Sequence, residues 1–492
     1  MGIREFLKSG SSVYFVGIKG TGVCALAELM LNAGLKISGS DTGEVFYTDR
    51  ILKELKIHYF ENFDASHINR EIDIVIHSAA YSAESNPELA RAMELNIPVM
   101  KYTDALGNWS MRFDSAGVCG VHGKTTTTAM CGVCARAAGL PAQILTGSAV
   151  FDFGGRSTLF LGDKYFIAET CEYRRHFLSF RPQRIILTSV ESDHQDYFKD
   201  YNAIRDAFVE YCRLLPEGGQ LIYCADDTGA REVARIIESE QLGIEFVPYG
   251  FIADGDYRIV SFETNNARSV FSLAGFPDAF ELQIPGRHEA LNAAAAIALT
   301  VSLTKQEFGA AEKNVFGSEK FKAIQDALKN FKSTKRRSET IGEACGIRFM
   351  DDYGHHPTAI KTTLMGIRSY FPGRRLVVSF MPHTYTRTSA LLDEFALSFR
   401  NVDVLFLHKI YASAREKYDG AVDGKSLFER TQSVRTMETF YVEEPDDAFP
   451  QLCGLLKSGD IFLTLGAGNN WTLAEKLFNH FRNIEKQGNN NG

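Results

Sequence analysis

At 492 residues the chain has room for about three domains of roughly 150 residues each. Hydrophobic residues make up 45% and charged residues 23%, proportions that exclude a long disordered or fibrous chain. Lys plus Arg (53) against Asp plus Glu (61) leave a formal charge of -8, which argues against nucleic acid as the main partner, because phosphate backbones attract basic surfaces.

Small anionic ligands remain open, since they need only a nest of N–H groups and one or two cations. No stretch reaches the ~18 consecutive apolar residues of a membrane span. The opening MGIREFLKSGSSVYFVG has no apolar h-region or cleavage site, and Phe6 stands where a myristoylation signal places Ser or Thr. Nine scattered cysteines, an odd count, do not make a disulfide framework. The expectation is a reduced, soluble, cytoplasmic protein with no membrane attachment.

In chain order, SVYFVG (12–17) predicts a buried strand and 21–34 a helix. KISGSD (36–41) and IDIVIHSAA (72–80) are strand-like, 87–96 is a helix opened by Pro87, and IPVM (97–100) closes the first series. AGVCGV (116–121) then runs into HGKTTTT and a helix to about 138. FIAET, IILTSV and LIYCAD are further strands, followed by the helix LNAAAAIALTVSL (291–303). From about 334 the pattern restarts with IRFMDDYG, RLVVSFMP, VLFLHKIY and IFLTLGAG. The lysine-rich stretch 313–337 is expected to be a hinge, and the tail EKQGNNNG to fray. Strand–helix alternation of this kind predicts three α/β units with mostly parallel sheets.

The sharpest local motif is Gly117-Val118-Cys119-Gly120-Val121-His122-Gly123-Lys124-Thr125, one residue longer than a P-loop from Gly117 and G-x-x-G-K-T from Gly120. Its glycines let N–H groups turn onto phosphate oxygens, and the helix that follows adds its positive end. Lys124 would reach the outer phosphates, and the Thr125 hydroxyl, with Thr126 next to it, would serve the metal and phosphate. Gly17-Ile18-Lys19-Gly20-Thr21-Gly22 approaches a dinucleotide fingerprint, with Lys19 where the second glycine belongs. Two phosphate cradles on one chain imply two phosphorylated ligands. Glu169, Glu172 and His194 follow strands, where parallel sheets place their ligands, and carboxylates there suit magnesium. Cys131-x-x-Cys134 lies within a helix with no second pair at zinc spacing, so helix packing explains it better than metal. The adjacent His355 and His356 lack the spacing of a metal pair; a polar pocket formed by DDYGHHP and MPHTYTRT accounts for them better.

Together, GVHGKTTTT, AETCEYRRHFL, DHQDYF, PGRHEALNA, TKRRSE, DDYGHHPTAI and PHTYTRT resemble the Mur ligases, the ATP-dependent amide-forming ligases of peptidoglycan synthesis, in order and over nearly the whole chain. DDYGHHPTAI and TYTRT look like the member that adds L-alanine to UDP-N-acetylmuramate; a close relative that recycles murein peptides is the nearest alternative, and a P-loop switch without ligase activity is another. The resemblance implies two Rossmann-like domains flanking a central P-loop domain: 1–110 for the UDP-sugar, 111–332 for ATP and 333–492 for the amino acid. It implies a monomer or homodimer using ATP and magnesium.

Carried over by position, Gly17, Lys19, Gly20, Thr21 and Gly22 would hold the diphosphate, with Asp41 and Ser78 near the nucleotide sugar. Gly120, Gly123, Lys124, Thr125 and Thr126 would cradle ATP phosphates. Thr125, Glu172 and His194 would ligate the metal, and His288 and Asn292 would lie against the adenine. Asp351 would join the ATP-binding residues, and one of Arg336 and Arg337, with Tyr353, His355 and Arg387, would line the acyl-phosphate and alanine site. Lys19 and the run Asn469-Asn470-Trp471 depart from the family pattern, and ETCEYRR is similar to an alternative form that keeps Glu172. Several members carry a carbamylated lysine on the helix after the histidine loop; here YNAIRDAFVEYCRLL (201–215) has no lysine.

Overall fold

The computed structural model describes residues 9–265, 267–309, 319–412, 420 and 422–490. Phe6, residues 313–318 of the expected hinge, and residues 491–492 of the tail lie outside the described residues. The chain gathers into two compact units. One draws on the described part of Met1–Glu191, Ile204–Arg258 and Asn292–Ala327; the other on Ser192–Ala203, Ile259–Leu291 and Leu328–Gly492.

The first unit holds two sheets. Strands β1–β5 (Ser12–Val16, Lys36–Ser40, His58–Phe60, Ile74–His77, Val99–Lys101) form a parallel sheet in the order β3-β2-β1-β4-β5. The chain therefore leaves β1 to one side and returns to the other, which opens a crevice at the carboxyl ends of β1 and β4. Strands β6–β12 (Asp114–Cys119, Ala142–Val150, Arg156–Phe160, Tyr165–Glu169, Arg184–Leu187, Gln220–Cys224, Glu245–Tyr249) pair in the order β12-β11-β10-β6-β9-β7-β8, with only β8 antiparallel. The continuous apolar runs explain this: β1 and β6 are buried at nearly every position, as strands covered on both faces must be. The helix Arg287–Phe308 buries Ala293 to Ala296 completely, small side chains that let a helix pack closely.

In the second unit, β13–β15 (Ile259–Asn265, Arg268–Leu273, Phe280–Leu282) form a small antiparallel sheet. Strands β16–β21 (Glu339–Ala344, Ile347–Asp352, Leu376–Phe380, Val404–Leu407, Glu438–Tyr441, Ile461–Leu465) pair as β16-β17-β21-β18-β19-β20, parallel apart from β16. The central strand β21 thus stands between the carboxyl ends of β17 and β18.

The described part of the lysine-rich stretch contains a helix, Glu319–Lys329, whose Phe321, Ile324 and Leu328 are buried, and one compact unit gives way to the other within it, between Ala327 and Leu328. One expectation is corrected. The tail does not fray at Glu485: the helix Trp471–Asn490 continues through it, and the Glu485 carboxylate accepts a 2.9 Å hydrogen bond from the Cys345 amide.

Candidate active site

The P-loop turns directly after β6, at glycines where a side chain would be strained. Gly120 and Gly123 have φ of 134° and 83°. A Cβ on Gly120 would lie 2.1 Å from Thr188 Oγ1, and one on Gly123 would lie 2.7 Å from Asn292 Oδ1. Gly123 precedes the helix Lys124–Ala138, whose first turn has no side-chain cap, so its positive end is available to an anion. Thr125 and Thr126 are buried in that turn. The Lys124 ammonium donates to the Gly120 carbonyl and to both oxygens of the Glu172 carboxylate, at 3.1 and 2.9 Å. Burial alone would lower its pKa, but Glu172 outweighs that and holds it above the ordinary lysine value. Glu172 itself is only 1% exposed.

Strand β10 braces the loop. The Ser189 carbonyl accepts from the Val121 amide at 3.0 Å and the Ser189 hydroxyl from the His122 amide at 2.9 Å. The His122 ring meets the Glu191 carboxylate. Asn292 accepts a 3.1 Å hydrogen bond from the Thr127 hydroxyl, which places it against the P-loop helix. Ser189 and Glu191 carried no signal in the sequence beyond their position after a strand. Glu169 accepts from the Gly147 amide at 2.7 Å, so it caps a turn beside the site.

The first glycine loop sits in the crevice between β1 and β4. Gly17 has φ of 82°, and a Cβ there would lie 2.8 Å from the Tyr81 ring and 3.0 Å from Ser78 Cβ. Gly20 precedes the uncapped helix Thr21–Asn32, and a Cβ on Gly22 would come within 2.6 Å of the Tyr102 hydroxyl. The Asp41 carboxylate accepts from the amides of Lys19 at 2.7 Å and Thr42 at 2.8 Å. Ser78 follows β4 directly. Lys19 differs from expectation: its side chain is fully buried, and its ammonium is taken up by protein oxygens rather than facing the loop's N–H groups. Burial would lower its pKa, but Asp49 and Glu61 hold it above the ordinary value.

In the second unit, Asp193 and Arg387 are both buried, and Arg387 donates from Nε at 3.0 Å and from a terminal nitrogen at 2.7 Å to one Asp193 oxygen. Arg387 also donates to the His383 carbonyl at 2.8 Å. Burial would raise the Asp193 pKa, yet Arg387 beside it holds that carboxyl well below the usual carboxylate range. The same Asp193 oxygen accepts the His194 amide at 2.7 Å, and His194 has φ of 54°. Asp193 was missed in the sequence; the acid directly before a loop histidine was the available signal. His355 donates through Nδ1 to the Tyr353 carbonyl, 2.9 Å away, and burial together with Arg387 keeps it well below the ordinary histidine pKa.

The structure separates the two arginines. Arg336 is committed to Asp351 at 2.9 Å and to the Gly466 carbonyl at 2.6 Å, while Arg337 makes no ion pair among the described residues; both guanidinium groups lie 5.1 Å from the centre of the Tyr353 ring. Asp351 also accepts from the Thr464 hydroxyl at 2.7 Å. Asn470, from the unusual run, is buried and donates to the carbonyls of Ser379 at 3.2 Å and Leu465 at 2.9 Å, tying two strand ends together. His288 lies 3.3 Å from Glu289, which keeps it above the ordinary histidine pKa although burial alone would lower it. Cys131 and Cys134 are buried within the P-loop helix, consistent with packing.

Three family models match along the chain: a Mur ligase family catalytic domain over residues 12–114, a Mur ligase middle domain over 118–300, and a Mur ligase glutamate ligase domain over 336–468. The chain is 49% identical over 474 residues to the UDP-N-acetylmuramate–L-alanine ligase of Treponema pallidum (strain Nichols), covering 96% of this chain and 97% of that one. It is 37% identical over 470 residues to the ligase of the same name from Borreliella afzelii, covering 95% and 98%. Among solved structures, the Thermotoga maritima UDP-N-acetylmuramate–alanine ligase superposes with a TM-score of 0.76 at 23% identity, over 96% of this chain and 99% of that one. A murein peptide ligase from Psychrobacter arcticus reaches 0.64 at 21% identity, over 96% and 99%. With three α/β parts in the expected order, a P-loop in the middle one and relatives matched nearly end to end, the chain belongs to the Mur ligase family.

Proposed function

We propose that the chain joins L-alanine to the carboxylate of UDP-N-acetylmuramate, spending ATP and releasing ADP and phosphate, as a step in peptidoglycan precursor synthesis. The observation that carries this is the P-loop with Lys124 paired to the buried Glu172 carboxylate, in a chain that matches relatives of that name over nearly its full length.

A free carboxylate is a poor acyl donor, so the muramyl carboxylate attacks the γ-phosphate of ATP and becomes an acyl phosphate. Lys124 neutralises charge that builds on the phosphate oxygens, and the uncapped helix behind it contributes its positive end. The neutral amine of L-alanine then attacks the acyl carbonyl, and phosphate leaves. No protein nucleophile is required.

Gly120, Gly123, Thr125 and Thr126 hold the ATP phosphates, and His288 and Asn292 serve the nucleotide, Asn292 through its hold on the P-loop helix. Gly17, Gly20, Thr21 and Gly22 hold the diphosphate of the UDP-sugar, with Asp41 and Ser78 beside them. Arg387, His355, Tyr353 and Arg337 serve the acyl and amino-acid side, with Arg336 and Asp351 as a supporting pair.

Magnesium suits the donors present: the Thr125 hydroxyl and Glu172 carboxylate are hard oxygens, and His194 adds an imidazole. When bound, it spreads charge over the phosphate oxygens. We place the domains at 1–110, 111–332 and 333–492; the family matches break between residues 114 and 118 and between 300 and 336. Among the described residues no helix is long and apolar enough to cross a membrane; we place the chain in the cytoplasm as a monomer or homodimer.

The test is mass spectrometry of products after incubation with ATP, UDP-N-acetylmuramate, a mixture of amino acids and a murein tripeptide. The L-alanine adduct is expected. Preference for the tripeptide would make this a recycling ligase, and ATP hydrolysis indifferent to the UDP-sugar would make it a nucleotide switch.

A further inference from the structure

We infer that Lys19 is a positioning residue of the UDP-sugar site: its ammonium is an internal cation around which the loop after β2 is folded, and through that loop it sets where Asp41 stands. Four oxygens surround Lys19 Nζ: the carbonyls of Thr42 and Glu44, each at 2.9 Å, and the carboxylates of Asp49 at 3.1 Å and Glu61 at 3.2 Å. The Tyr59 ring lies 5.4 Å away. An ammonium has three protons and no acceptor, so this shell of oxygens satisfies it completely.

The same residue grips the loop through its backbone. Its amide donates to Asp41 at 2.7 Å, and its carbonyl accepts from the Thr48 hydroxyl at 2.6 Å. Asp49 in turn accepts from the Phe46 amide at 2.6 Å and the Tyr59 hydroxyl at 2.7 Å. Every partner of the cation lies in residues 42–61, which follow Asp41. A glycine at this position in a dinucleotide fingerprint lets the backbone approach the pyrophosphate. A lysine is accommodated here because its side chain turns beneath the loop.

Removing the cation leaves two carboxylates and two carbonyls converging on nothing, one carboxylate of them nearly buried, and the loop has to rearrange. The inference rests on the functional reading above. It is tested with Lys19→Met, measuring UDP-N-acetylmuramate binding by calorimetry and the kinetic constants for all three substrates. The expected result is binding weakened about tenfold or more, with kcat at saturation and the ATP constant within about twofold of wild type. The salt dependence of UDP-sugar binding stays the same in the variant, because a buried ion pair is barely screened; a lysine touching the diphosphate directly would take part of that dependence with it. Adding Asp49→Asn removes the stranded carboxylate and restores at least about a third of the lost affinity on a logarithmic scale.

If the single variant does not fold, the double variant decides, and weak UDP-sugar binding with an unchanged ATP constant is still required of it. Unchanged binding in Lys19→Met, a reduced salt slope, or a double variant as weak as the single overturns the inference. Wild-type protein that binds no UDP-N-acetylmuramate overturns the functional reading, and this one with it.

Discussion

Replacing Lys124 by alanine tests the P-loop assignment and the chemistry at once. The side chain has two separable duties. In the resting protein it compensates Glu172, a 1%-exposed carboxylate held at 2.9 and 3.1 Å. In the proposed reaction it would neutralise charge gathering on the transferred phosphoryl group. Breaking a buried pair from one side costs about 3–5 kcal/mol, because the surviving charge is stranded. Losing a preorganised donor to a developing anion costs about 3–4 kcal/mol of barrier, or roughly 100- to 1000-fold in rate. Lys124→Ala therefore lowers both stability and turnover. The double variant Lys124→Met, Glu172→Gln removes the stranded charge and recovers most of the stability while remaining inactive. The assays are thermal melts alongside phosphate release coupled to mass spectrometry of the ligated product, at saturating ATP. More than about a tenth of wild-type turnover in Lys124→Ala would refute the assignment, and recovery of activity together with stability would show that Lys124 acts only on the fold.

Three further expectations can be checked independently. His194→Ala mainly raises the magnesium concentration for half-maximal rate, whereas Glu172→Ala, which removes a charged oxygen donor, abolishes activity; since the helix Tyr201–Cys212 carries no lysine, stripping carbon dioxide has no effect, and inactivation rescued by bicarbonate would contradict this. His408 is fully buried between the Ser379 hydroxyl and the Val442 carbonyl, and burial pushes its pKa down to about 4. It stays neutral in the fold while the unfolded chain protonates near 6.5, so stability falls as pH drops from about 6.5 to about 4, by up to roughly 3 kcal/mol; denaturant melts of His408→Gln should lose that part of the slope, and parallel curves would contradict it. Asn470→Ala leaves the buried carbonyls of Ser379 and Leu465 without a donor and should cost about 1–3 kcal/mol with little change in the ATP constant; a neutral melt would show that the tie between those strand ends is unimportant.

How much of this was legible in the sequence depended on how locally each feature is encoded. β1, β6, β18 and β21 were readable because strands covered on both faces are unbroken apolar runs. β3 is three residues long, and the edge strand β13 is mostly exposed, so neither offers a period to detect. Both glycine loops were readable because positive φ and close contacts demand glycine at Gly17, Gly120 and Gly123. What could not be read were pairings between distant segments. Nothing in GIKGTG announces that Lys19 turns inward to meet Asp49 and Glu61, and nothing in ESDHQDY or TYTRT announces the Asp193–Arg387 pair, 194 residues apart. The choice between Arg336 and Arg337 was undecidable for the same reason: Asp351 and Gly466 had first to be brought to the end of β17.

Those pairings share a logic that bears on the reaction. Two of the chain's cations, Lys124 and Arg387, which flank the turns proposed to bind phosphate and the acyl group, are each paired with a buried carboxylate. An unpaired cation would bind an anion more strongly, yet it would also bind phosphate and ADP, the products, as readily as the substrates. Pairing each cation lowers its pull on any anion in the ground state while holding it in place at no further reorganisation cost, so the attraction that remains is spent where charge grows during the reaction. On this argument, substituting the partner rather than the cation separates the two effects. Glu172→Gln keeps Lys124 but releases its charge, and should tighten ADP while slowing turnover. Product inhibition by ADP measured in that variant decides the matter: weaker or unchanged inhibition would mean that Glu172 does not restrain Lys124, and that the pair is only an incidental contact of the folded state.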